Sequence, residues 1–138
     1  METKQMTCKQ KVKAELRREI DSYLRPMFRA YQEGKEEECE AGNFCEHGLS
    51  FDYVTAGTFE GQKEGYFRYQ ISWGGPSDEF RFYTDAGFCL HRVEYWFLDW
   101  FDGSRIILKD SDLELLGEIF DHFKDCGTVE HVFNQAQE

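Results

Sequence analysis

The chain predicts an α+β domain, an antiparallel sheet of four or five strands in meander order flanked by an N-terminal and a C-terminal helix. Three observations carry this prediction. Tyr66 to Phe101 holds 13 of the 23 aromatic residues, and inside that block apolar and polar residues alternate with the period of a strand. Residues with helical spacing flank it on both sides. Short turns separate the alternating runs, which favours hairpins over crossovers. With 138 residues the chain suits one domain, 1–138, large enough to fold without disulfides.

The first element is an amphipathic helix over 8–32. Val12, Leu16, Ile20, Leu24, Phe28 and Tyr31 recur every three or four residues. Pro26 lacks a backbone donor and crowds the preceding turn, which predicts a kink or break between Ser22 and Pro26. Gly34 supplies a C-terminal stop. The run Lys35 to Glu40 then reads as a short acidic helix or a mobile segment.

The sheet is expected within 49–109. Leu49 to Thr55 forms a first strand, and glycines at 57 and 61 mark a polar turn. Tyr66 to Trp73 is the clearest strand, with Phe67, Tyr69, Ile71 and Trp73 on the buried face. Glu79 to Thr84 returns, adding Phe80 and Phe82 to that face. Leu90 to Phe101 is a long strand apolar on both faces, so both need cover. A helix on each side, a helix and a long loop, or a homodimer or partner surface would each supply it. Asp102-Gly103 suits a two-residue hairpin turn back to Arg105–Leu108. A final helix over 111–126 opens on a Ser111/Glu114 capping box and buries Leu113, Leu116, Ile119, Phe120 and Phe123. The tail 128–138 adds a helical turn and then frays.

Net charge is −11 and unevenly distributed. Residues 1–32 carry +4, residues 33–64 carry −7, residues 65–109 carry −1 and residues 110–138 carry −7. Such an acidic chain disfavours direct nucleic-acid binding and favours a basic protein or nucleoprotein partner. The basic residues of the first helix are expected to pair with the acidic end, and Asp21 with Arg25. No apolar run is long enough to span a membrane. The five scattered cysteines, with no apolar leader ahead of them, indicate reduced thiols in a cytoplasm.

Glu114, Glu118, Asp121 and Asp125 line up on the final helix opposite its apolar face. Like charges at this spacing cost about 0.2–0.5 kcal/mol per pair. The stripe is therefore read as a partner surface, set against the plainer reading of a solvated helix face. Trp96 and Trp100, on the second face of the long strand, are the apolar candidates for the same role. The alternative function is a small enzyme or ligand-binding domain whose pocket is lined by Trp73, Trp96 and Trp100, with Asp99 as the best-placed carboxylate. The pairs Cys45/His47 and Cys89/His91 fit alternate positions of a strand, but zinc knuckles favour Cys-x(2–4)-Cys, so no metal or other cofactor is expected. No phosphate loop, Ser-x-x-Lys or Gly-x-Ser-x-Gly pattern is present. The expectation is non-enzymatic.

The stretch Tyr69 to Tyr83 together with Trp96 to Gly103 resembles small acidic accessory proteins of bacterial plasmids and phages. That resemblance covers the central third of the chain and assigns no functional residue. It implies a mobile-element setting in which acidic proteins inhibit host defence, including restriction and CRISPR systems. The expected function is an acidic binding or inhibitor protein that mimics nucleic acid.

Overall fold

The computed structural model describes residues 7–74, 76–99 and 102–138. Its centre is a five-stranded antiparallel sheet in the order β1-β2-β3-β4-β5. The strands are β1 Ser50–Val54, β2 Tyr66–Ser72, β3 Ser77–Thr84, β4 Leu90–Asp99 and β5 Asp102–Ile107. Sequence neighbours pair throughout, as the short turns require.

The N-terminal helical stretch is α1 Cys8–Arg17, a π-helical turn Arg18–Leu24 and α2 Arg25–Glu33. Thr7 caps α1 in a capping box with Gln10. No break occurs before Pro26. The ladder widens instead: the Arg25 N–H donates to Ile20 O, five residues back. A wider turn accommodates both the absent proline donor and the bulk of its ring. Gly34 ends α2 at φ 70°, a conformation that glycine adopts without a Cβ penalty. The acidic run forms a 3₁₀ turn at Glu36–Glu38.

At the other end lie α3 Asp110–Asp125 and α4 Thr128–Ala136. The expected Ser111/Glu114 capping box does not form. The helix starts earlier, after Lys109, with Asp110 at φ 52° and no side-chain cap. The tail is a full helix rather than a frayed turn, because Val129 and Val132 are buried and Phe133 packs at 4.9 Å on Tyr53.

The α-helices of the described residues pack on one face of the sheet. Phe67, Tyr69, Phe80, Phe82, Val93, Tyr95 and Phe97 point into the same core as Val12, Leu16, Ile20, Ile119 and Phe120. Phe120 is fully buried and stacks on Phe82 at 5.1 Å. The expected buried face of β2 and β3 therefore holds, with one correction. Trp73 is 79% exposed, because β2 ends at Ser72 after a register shift beyond Gln70.

Asp102 and Gly103 are also corrected. They lie inside β5, opposite Asp99 and Leu98, rather than in a turn. A side chain at Gly103 would meet Leu98 Cδ2 at 2.8 Å, so glycine here serves close packing. The Asp102 carboxylate accepts the Cys8 backbone N–H at 2.8 Å, tying the sheet to the N-terminus of α1.

Candidate functional site

The helix-free face of the sheet carries the residues between the core-facing ones. Val54, Tyr66 and Tyr83 form a small apolar cluster there, separate from the main core. The cover expected for the second face of β4 is supplied in part by the loop 55–65, which walls a cavity of about 580 Å³ with Phe59, Tyr66, Tyr83 and Trp96. Arg81, Arg92 and Arg105 line the same cavity.

Glu94 organises this face. It is fully buried, and each carboxylate oxygen accepts two donors. Tyr83 OH and Trp96 Nε1 donate to Oε1 at 3.2 and 2.9 Å. Arg92 Nε and Arg105 NH1 donate to Oε2 at 3.0 and 2.8 Å. A buried carboxylate persists only when so satisfied. The guanidiniums also stack: Arg81 lies 3.9 Å over Trp96 and 4.6 Å over Tyr66, and Arg92 lies 3.9 Å over Tyr83. Arg81 Nε is held by buried Glu79 at 2.7 Å. Tyr66 differs from its neighbours. Its hydroxyl is buried with no hydrogen-bond partner among the described residues, and burial pushes its pKa up to about 12.

Trp96 thus belongs to a built cluster, whereas Trp100 lies outside the described residues. The expected three-tryptophan pocket is not formed by Trp73, which projects from the β2–β3 connection. Tyr66, Tyr83 and Phe59 take its place. Periodicity put Tyr66 and Tyr83 on this face, but nothing local in the chain joined them to Phe59.

On the helical side, Glu114, Asp121 and Asp125 are exposed on α3, while Glu118 meets Arg29 of α2 at 2.9 Å. Among the described residues, the stripe is therefore three exposed carboxylates without an ion-pair partner and one paired. The basic helix pairs inward as expected: Arg17 and Arg25 both reach Asp112, and Lys11 lies 3.9 Å from Asp99. Asp21 pairs with Arg17 rather than Arg25, because Arg25 is turned toward α3. Asp99 is thus matched to a lysine.

His122 of α3 sits in an aromatic collar of Tyr31 and Phe28 from α2 and Phe44 from a 3₁₀ turn, Phe44–Glu46, at 5.0, 6.3 and 5.7 Å. These contacts bring the segment 33–46 against the end of α3. The segment 33–46 carries exposed Glu33, Glu37, Glu38, Glu40 and Glu46, and the end of α3 carries exposed Asp121 and Asp125, against exposed Lys35 and Lys124.

Glu19 is another buried carboxylate, bonded to His47 Nε2 at 2.6 Å. Burial raises its pKa, and the His47 hydrogen bond opposes the rise. Cys89 lies in the β3–β4 turn, where its N–H donates to Asp85 Oδ1 at 2.9 Å, and Cys45 is exposed. Among the described residues no three His, Cys, Asp or Glu side chains converge as a metal site. None of their helices is long and apolar enough to cross a membrane.

No protein-family model, curated protein or solved structure matches the chain.

Proposed function

We propose that this is a small non-enzymatic binding protein of the cytoplasm that docks a basic protein or nucleoprotein partner through its acidic end. The observation that carries the reading is the meeting of two acidic segments distant in sequence, 33–46 and the end of α3, around the His122 collar. Seven exposed carboxylates against two exposed lysines give these two segments a strongly negative balance. Like charges so placed cost folding energy, and a partner's cations offset that cost on binding.

Rows of carboxylates offer basic surfaces what phosphates offer them, so direct nucleic-acid binding is not part of the function. The plasmid- and phage-like central segment is consistent with an inhibitor of host defence, restriction and CRISPR complexes being the matching class of partner. The experiment is affinity capture from bacterial lysate at low and high salt, with mass spectrometry of what is retained. A basic protein or nucleoprotein released by salt is expected. Retention of a neutral or acidic partner, unaffected by salt, refutes the reading.

A further inference from the structure

The cavity on the opposite face is not explained by a partner-docking role for the acidic end. We propose that it binds a small organic oxyanion, a phosphate ester or carboxylate carried on a planar or apolar body. Four observations support this. The first is spare donor capacity. Among the described residues, Arg81 uses only Nε, on Glu79; Arg92 uses Nε and NH2, on Glu94 and Glu64; and Arg105 uses only NH1, on Glu94. Guanidinium forks match phosphate and carboxylate oxygens.

The second is preorganisation. Each guanidinium is fixed by a carboxylate and an aromatic face, so little freedom is lost when an anion arrives. The third is Tyr66, which lines the cavity with its ring under Arg81 and whose hydroxyl is buried with no hydrogen-bond partner among the described residues. Leaving such a group unpaired is costly, and a ligand oxygen would relieve it. The fourth is size. About 580 Å³ far exceeds a bare anion and falls in the range of small-molecule pockets. Half-exposed Phe59 on the rim offers its ring to the rest of the ligand.

The net charge of −11 opposes anion entry. Its concentrated part, however, lies on the helical side, and exposed charges beyond about 8 Å are screened at physiological salt. Nearby, Arg81, Arg92, Arg105 and Lys63 stand against Glu60, Glu64, Glu79 and Glu94, with Glu64 tied to Arg92 at 3.0 Å, so the local charge balances. An anion would therefore be held by directed guanidinium N–H groups rather than by net charge.

The test titrates the full chain with inorganic phosphate, adenosine monophosphate and benzoate while following the indole N–H signal of Trp96 by NMR, assigned with Trp96→Phe. A saturable shift is expected, with the monophosphate binding about tenfold tighter than phosphate alone if the body contributes. Benzoate binding alone would identify the head group as a carboxylate, and phosphate and monophosphate binding would identify a phosphate. Tyr66→Phe separates ligand from structure: it removes an unsatisfied buried hydroxyl, so the unliganded melting temperature holds or rises while affinity falls about fivefold or more. Arg105→Gln, at an exposed position, keeps a donor toward Glu94 and should weaken binding about tenfold. If no probe gives a saturable shift, or the shift survives either substitution undiminished, the site is a structural ion-pair cluster and the proposal is wrong.

Discussion

Glu94 and Glu19 are both buried carboxylates, but their surroundings give them different consequences. Glu94 has four donors and anchors two arginines. Glu94→Ala leaves those donors unmatched and is expected to lower stability by about 1–3 kcal/mol, read by urea denaturation. A neutral result would mean water satisfies the arginines equally well. Glu19 has one close partner, His47, and its carboxyl pKa is raised chiefly by burial. A carboxyl with a higher pKa folded than unfolded contributes stability fully present below its unfolded value, about 4.3, and lost as pH rises through the folded value. Glu19→Gln does not ionise and escapes that loss. Its stability relative to the parent is therefore expected to improve between about pH 4 and pH 7. Denaturation curves at both ends of the range check this, and a constant difference would contradict it.

The individual strands were legible because the alternation of Tyr66 to Ser72 and of Phe80 to Tyr83 is local and strong. Trp73 extends the same alternation by one step but is exposed, since strand length is set by the bulge after Gln70 rather than by hydrophobicity. Phe120→Ala is expected to cost about 3–5 kcal/mol, as a buried ring against Phe82 and Phe67 is lost. Trp73→Ala should change stability by less than about 0.5 kcal/mol. The reverse order in thermal denaturation would overturn the register. The π-helical turn was not legible. Pro26 announces a disturbed ladder, but whether the helix breaks or widens depends on the packing of Ile20 and Leu24, both fully buried. The Ser111/Glu114 box failed for a related reason. Asp112 is drawn toward Arg17 and Arg25, and this tertiary contact sets where α3 begins.

At the scale of the whole molecule, the α-helices of the described residues pack on one face of the sheet and the loop 55–65 covers part of the other. The candidate sites therefore lie on opposite sides. The stripe on α3 could be read from spacing alone. Its partner segment, 33–46, could not, because only the tertiary contacts of Tyr31 and Phe44 place it. Charge pairing refines the stripe as well. Glu118→Lys breaks the contact with Arg29 and is expected to cost about 0.2–1 kcal/mol, whereas Asp121→Lys should hold stability or raise it by a few tenths. Equal effects in thermal melts would show that the Arg29 contact contributes nothing.

The most direct measurement is the salt dependence of affinity for the captured partner, compared between the parent and Asp121→Lys with Asp125→Lys. Both positions are exposed on α3, so the fold should persist in the double variant. The parent is expected to lose affinity steeply as salt rises. The double variant should bind at least about tenfold more weakly at low salt, with a shallower salt slope. Parent and variant binding with the same affinity and the same slope would show that the acidic end is a solvated surface and not the docking site.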